Sequence, residues 1–213
     1  RWRAAYARWC RLRQNCFGTT GAGPTGTSNG GSACHAFSDE DSDPRCDGAP
    51  PGAPSLLFPT AEKITLTTDG CCDRACHDGG WAVVVEADGT TETRSGYLRR
   101  TTNNRAELLA VIHGLELLSE SAEIRLVSDS LYVVRGITEQ LEIWKHQGWR
   151  TGRVGRRKDL KNKDLWLRLD ELLSIRRVTC EWVRGHAGHR QNEQADTLAQ
   201  QALQRGRRRA VVA

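Results

Sequence analysis

The chain has no methionine anywhere in its 213 residues, and it opens on Arg. A translated reading frame starts with Met, so the expectation is an incomplete or processed frame, and the first fifty residues carry little weight. Aromatic residues are few, 6% of the chain, and more than half of them are Trp. No apolar run approaches the ~18 residues that a membrane-spanning helix needs, which excludes a helical membrane protein. Cysteine is not scarce: eight stand at 10, 16, 34, 46, 71, 72, 76 and 180. They are spread too thinly for a secreted disulfide scaffold, which leaves reduced thiols in a cytoplasmic protein. The cluster "CCDRACH" lacks the paired CxxC spacing of structural zinc sites. Acids are absent from the leading "RWRAAYARWCRLRQ". A transit peptide, a basic nucleic-acid arm and sequence upstream of the true start all fit it.

Residues 18–55 are rich in Gly, Pro, Ser and Thr and short of large apolar side chains. Such a segment buries too little surface to offset its ordering entropy and is expected to be disordered. Three parts follow: an extension over 1–60, a folded domain over 61–205, and a basic tail over 206–213.

The texture changes near 61. "KITLTTD" alternates at strand spacing. "GWAVVVEADGTTETRSGYL" reads as two strands joined by a turn at Asp88-Gly89. "NNRAELLAVIHGLELL" predicts a helix capped by Thr102 or Asn103. The strand "AEIRLVSD", the short helix "SLYVVRGI", the helix "KDLWLRLDELLSI", the strand "RVTCEWV" and the helix "QNEQADTLAQQALQR" follow. Three strands in succession and then alternating elements predict an α/β domain, a five-stranded mixed sheet flanked by helices.

Four acids stand at expected strand ends or helix starts: Asp69 at the end of the first strand, Asp129 at the end of the fourth, Glu107 in the first turns of the first long helix and Asp196 in the first turn of the last. Such positions are where α/β folds gather functional groups. Taken singly, each reads as a solvated charge or a cap. Gathered together they repel one another unless cations bind between them. Hard oxygen ligands favour Mg²⁺ or Mn²⁺ over Zn²⁺, and two such ions about 4 Å apart support phosphodiester hydrolysis. In "GHAGHRQNEQAD", two histidines three residues apart on a glycine-containing loop are more often structural than ligands. Gly185 and Gly188 leave that loop free to move, and His189 and Asn192 are placed at the loop-to-helix junction, Asn192 as its cap.

The strings "TTDG", "TTNNRAELLAVIHGLELL", "VSDSLYVVRGI", "WKHQGWRT", "NKDLWLRLDELL" and "EWVRGHAGHRQNEQADTLA" resemble, in order, the type 1 ribonuclease H family, and within it the bacterial ribonuclease HI enzymes. The resemblance spans about 62–205 and implies a ribonuclease H-like fold. It implies cleavage of the RNA strand of an RNA–DNA hybrid, leaving 5′-phosphate and 3′-hydroxyl ends. It makes Asp69, Glu107, Asp129 and Asp196 the acids that hold two Mg²⁺ ions, for which Mn²⁺ substitutes, and His186 the mobile-loop histidine that assists proton transfer or product release. It places Thr102, Asn103 and Asn104 near the hybrid, and Cys72 and the Gly70 backbone near the RNA strand; Asn192 joins the candidate contacts.

The stretch from Ile143 to Lys163 sets eight basic residues against one acid, a local net of +7 in a chain of net +5. The excess is therefore local, as in a docking surface for a polyanion. Trp144, Lys145, Trp149 and Arg150 are its candidate contacts, the two Trp either meeting sugars or pinning the loop to the body. In the family this region is the basic handle that grips the DNA strand. Two departures stand out. The loop after the first Asp has Ala75 where relatives commonly carry Asn, and Leu131 follows "DS" where bacterial enzymes often carry Gln. Both remove side-chain hydrogen bonds near the substrate. Two alternatives stay open: a hybrid-binding module without catalysis, and the ribonuclease H domain of a reverse transcriptase. A monomer is expected.

Overall fold

The computed structural model describes residues 57–58, 61, 63–153 and 156–212; the expected extension over 1–60 falls almost wholly outside them. Three antiparallel strands come first: β1 (Lys63–Cys72), β2 (Gly79–Ala87) and β3 (Thr90–Leu98). Asp88 and Gly89 join β2 to β3 with φ of 51° and 73°, left-handed at both positions as a two-residue hairpin requires. β4 (Glu123–Ser128) then pairs parallel to β1, and β7 (Arg177–Trp182) parallel to β4, giving the order β3-β2-β1-β4-β7. This is the five-stranded mixed sheet expected.

β2 is buried along nearly its whole length, as a strand covered on both faces must be. One face meets α1 (Asn103–Glu116), against which α4 (Lys163–Ser174) packs. That interface holds the large side chains: Leu66, Val83, Leu108, Leu115, Leu126, Trp166, Leu169 and Leu172. The other face meets α5 (Arg190–Val212) through small residues. Ala195, Ala199 and Ala202 form a ridge at i, i+4 and i+7, and a Cβ on Gly80 would come within 2.1 Å of the Ala199 carbonyl oxygen. The alanines let the helix lie close on the sheet.

The sequence reading is corrected in four places. Asp69 is not at the end of β1 but inside it, opposite Ala82, because pairing with β2 continues to Cys72. The helix after Asp129 does not stop at 137. α2 (Leu131–Arg135) passes through a π-helical turn (Gly136–Gln140) into α3 (Leu141–His146), with Gly136 seated against the Trp166 ring. The basic stretch therefore begins as helix and continues as a two-stranded ribbon, β5 (Arg150–Thr151) with β6 (Lys158–Asp159). Last, 206–212 is no separate tail: α5 runs unbroken to Val212. The packed body also reaches back to Leu57, whose amide donates to the Leu117 carbonyl at 2.7 Å.

Candidate active site

β1 and β4 are adjacent and parallel, so their C-terminal ends reach the same edge of the sheet. Asp69 lies near that end of β1, and Asp129 immediately follows β4. Glu107 arrives from α1. Gly70 has no room for a Cβ, which would sit 2.4 Å from the Ala106 carbonyl carbon and the Glu107 nitrogen. The helix backbone rests directly on the strand there, and Glu107 is delivered beside Asp69. Asp69, Glu107 and Asp129 each offer an oxygen within 4.8 Å of the others'.

Packing three carboxylates this tightly has an electrostatic cost. Burial, then the charges of Asp129 and Asp196, push Asp69 up from its ordinary value to about 7. Glu107 is raised well above the usual carboxylate range, chiefly by burial and then by Asp69 and Asp129. Hydrogen bonds from the Gly70 backbone and the Asn103 side chain oppose that rise only in part. Glu107 Oε2 is buried with no hydrogen-bond partner among the described residues. A buried, unpartnered carboxylate oxygen facing two more acids is what a hard divalent cation would satisfy, so the donor set fits such an ion.

Asp196 flanks this trio rather than joining it. It lies in the second turn of α5, not the first, because the helix starts at Arg190. Its Oδ1 accepts from Gln200 Nε2 at 2.7 Å, and its Oδ2 is 4.0 Å from His186 Nδ1. His186 is 80% exposed and itself adopts the left-handed conformation, φ 52°. Of the two glycines expected to free this loop, Gly188 has positive φ, at 84°. Gly185 instead makes room: a Cβ there would be 2.6 Å from Asp129 Oδ2. Asn192 is not the cap of α5. His189 precedes the helix, its carbonyl taking the Glu193 amide and its Nδ1 the Asn192 amide. Asn192 is buried and donates its side-chain amide to Asp129 Oδ2 at 3.0 Å.

A family model for RNase H matches residues 61–204. The chain belongs to the RNase H family. Its class is therefore that of a hydrolytic nuclease. The Ribonuclease H of Halorhodospira halophila is 48% identical over 140 residues, 66% of this chain and 92% of that protein. The Ribonuclease H of Bordetella pertussis is 43% identical over 148 residues, 70% of this chain and 94% of that one. Among solved structures, LC9-RNase H1, a type 1 RNase H with the type 2 active-site motif, superposes with a TM-score of 0.58 at 30% identity, covering 67% of this chain and 72% of that chain. LC11-RNase H1, solved in complex with RNA/DNA hybrid, shares the fold with a TM-score of 0.50 at 24% identity, covering 67% of this chain and 98% of that one.

In this RNase H family chain the remaining candidates separate into two groups. Thr102, Asn103 and Asn104 are exposed beside the acids. Thr102 caps α1 by accepting from the Arg105 amide, and Asn103 Nδ2 reaches Glu107 Oε1 at 3.5 Å. Cys72 is half-buried, its thiol toward the Thr101 carbonyl at 3.3 Å. The basic stretch is more occupied than its composition suggests. Trp144 and Trp149 pack against the core, Trp144 with its ring centroid 4.9 Å from that of Trp166. Lys145 is paired with Glu142 and Asp170, both at 3.0 Å. Arg150 donates to the Arg157 carbonyl. Arg153, Arg156, Arg157, Lys158 and Lys161 are exposed and have no acidic partner among the described residues.

Sequence reasoning missed two residues that hold the acids. Trp182 donates its ring N–H to the Asp129 carbonyl at 2.9 Å, a contact no spacing announces. Gln200 holds Asp196, and there the i, i+4 spacing on a helix was available as a signal.

Proposed function

We propose that this chain is an endoribonuclease that hydrolyses the RNA strand of RNA–DNA hybrids by two-metal-ion catalysis, giving 5′-phosphate and 3′-hydroxyl ends. The observation that carries the reading is the buried trio Asp69, Glu107 and Asp129 with its unpartnered Glu107 oxygen. The substrate class follows the family, and the hybrid held by the fold relative LC11-RNase H1 supports it. Asp69, Glu107, Asp129 and Asp196 would together hold the ions. Mg²⁺ is the expected species, with Mn²⁺ able to replace it. Bound there, the ions supply Lewis acidity and positive charge for phosphodiester hydrolysis.

The chain's own side chains orient and protonate. Gly70 and Asn103 aim Glu107. Asn192 and Trp182 hold Asp129 at its side chain and its backbone. His186, exposed beside Asp196, carries a proton between the site and solvent. Thr102, Asn103, Asn104, Cys72 and the Gly70 backbone face the RNA strand, where 2′-hydroxyls distinguish RNA from DNA. The exposed cations of the β5–β6 ribbon grip the DNA strand. Trp144, Lys145 and Asn192 serve by positioning rather than by touching substrate.

Action as a monomer in the cytoplasm completes the proposal. Among the described residues no helix is long and apolar enough to cross a membrane. The test is cleavage of labelled hybrid in Mg²⁺ and in EDTA, with single-stranded RNA, double-stranded RNA and double-stranded DNA as controls. Cleavage confined to hybrid and lost in EDTA is expected. Asp129→Asn should abolish it while leaving the circular dichroism spectrum unchanged. Binding of hybrid without metal-dependent cleavage would replace this reading with a non-catalytic hybrid-binding module.

A further inference from the structure

The end of α5, the residues beyond the family match, reaches back to the edge of the sheet that carries the acids. Gly206 makes this possible: a Cβ there would be 2.1 Å from the Tyr97 ring, so the helix backbone lies flat on it. From the next position Arg207 sends one guanidinium nitrogen to Asp73 Oδ2 at 2.9 Å and to Cys76 Sγ at 2.6 Å. Both partners sit in the loop between β1 and β2. The other end of that loop is held as well, since the Tyr97 hydroxyl hydrogen-bonds the Asp78 carboxylate.

The loop is tied in turn to the start of α1. The Thr101 amide donates to the His77 carbonyl at 2.6 Å, and Cys72 Sγ faces the Thr101 carbonyl at 3.3 Å. The next residues are the α1 cap Thr102 and Asn103, which reaches Glu107. A continuous set of contacts thus runs from the last turns of α5 through residues 73–78 to the surface beside the acids. Asp73 also fixes the loop internally, its Oδ1 taking the Ala75 amide at 2.7 Å.

We propose that Arg207 is a positioning residue for substrate: through Asp73 and Cys76 it sets the β1–β2 loop as one wall of the hybrid-binding cleft. The wall acts on binding and not on the acids, so its loss should appear in KM and not in kcat. This rests on the hybrid-nuclease reading above. The alternative is that Arg207 touches a phosphate itself, and the acid partner separates the two. If Arg207 acts only by its charge, removing Asp73 unmasks that charge and tightens hybrid binding. If Arg207 acts by holding the loop, removing either partner weakens it.

The experiment uses the full chain with Arg207→Gln, Arg207→Lys, Asp73→Asn and the Arg207→Gln/Asp73→Asn double variant. Asn at 73 keeps an acceptor for the Ala75 amide. Steady-state cleavage of hybrid is measured across a salt series, with amide hydrogen exchange of residues 72–78 followed in the metal-free protein. Arg207→Gln and Asp73→Asn should each raise KM roughly threefold, as expected for an exposed charge pair, with kcat within about twofold. The double variant should match the singles, because both break one contact, and Arg207→Lys should recover most of the loss. Exchange over 73–78 should quicken in both single variants. A lower KM in Asp73→Asn, or a salt slope reduced by about one in Arg207→Gln, would overturn the proposal in favour of direct phosphate contact. Unchanged loop exchange in both variants would overturn it whatever the substrate is. A wild-type chain that leaves hybrid intact refutes the nuclease reading instead, and the exchange result stands apart from that.

Discussion

Replacing Asp69 by Asn should make the metal-free protein more stable while destroying the site. Asp69 is buried in β1 and is pushed up from 3.8 to about 7 by burial and by the charges of Asp129 and Asp196. A folded-state value above the unfolded one means that the folded protein resists ionisation at this position. Relative stability is therefore full below about pH 4 and declines as pH rises toward 7, where the folded state must also ionise. Each unit corresponds to about 1.4 kcal/mol, so the three-unit rise costs about 4 kcal/mol at and above pH 7 as an upper figure. Asn keeps the side-chain shape and cannot ionise. In EDTA at pH 8 the variant should gain about 2–4 kcal/mol, a rise of roughly 10 °C in Tm for a domain of this size. Thermal unfolding followed by circular dichroism at pH 4, 6 and 8, with EDTA and with Mg²⁺, is the assay. The gain should be absent at pH 4 and largest at pH 8, and Mg²⁺ should raise the wild type more than the variant. Equal or lower stability of the variant at pH 8 in EDTA, or a difference that does not change with pH, would show that burial and the neighbouring acids do not oppose ionisation of Asp69.

Three further outcomes follow from the same geometry. Gly185→Ala puts a methyl 2.6 Å from Asp129 Oδ2; cleavage should fall by more than tenfold, about 1.4 kcal/mol of barrier, while urea midpoints change little, and undiminished activity would mean the loop moves aside freely. Asn192→Ala removes the buried amide that holds Asp129 and should cost about 1–3 kcal/mol in urea unfolding, with kcat falling and KM steady. Neutralising Arg153 and Arg157 together should lower the slope of log affinity against log salt by about 2, as measured by fluorescence anisotropy with hybrid in Ca²⁺, whereas Lys145→Gln, already paired with Glu142 and Asp170, should leave the slope unchanged.

The sheet was legible because its signals are local and periodic. β1 to β3 announce themselves by alternation and by Asp88-Gly89, and α1 by Thr102 and a run of strong helix formers. The acids were legible as a set only through the family resemblance, since each alone reads as a surface charge. What escaped the sequence depends on distant partners. Asn192 looks like a helix cap by type and position, yet it is buried because Asp129 stands opposite. For Trp144 and Trp149 two readings stayed open, and only the fold decides for packing: both lie against the core, Trp144 beside Trp166. The last helix was expected to end at Arg205, yet it continues through Gly206, whose lack of a side chain allows close contact with Tyr97. The basic stretch misled in the same way: a π-helical turn against Trp166 carries the chain on into α3, and no pattern of residues marks such a turn.

The parallel pairing of β1 with β4 has a consequence for assembly of the molecule. The ladder ends with Thr67 opposite Val127, so Asp69 and Asp129 each lie two positions further on. Side chains alternate between the faces of a strand, and a slip of one residue turns every one of them over. In such a mispaired chain Leu66 and Leu126 could no longer face α1 together, and Asp69 and Asp129 would fall on opposite faces. Compact but misassembled molecules would still fluoresce and scatter like native ones, yet they would hold no trio of acids. Recovery of catalytic activity after dilution from denaturant therefore counts correctly registered molecules, a quantity that spectroscopic refolding yields overstate.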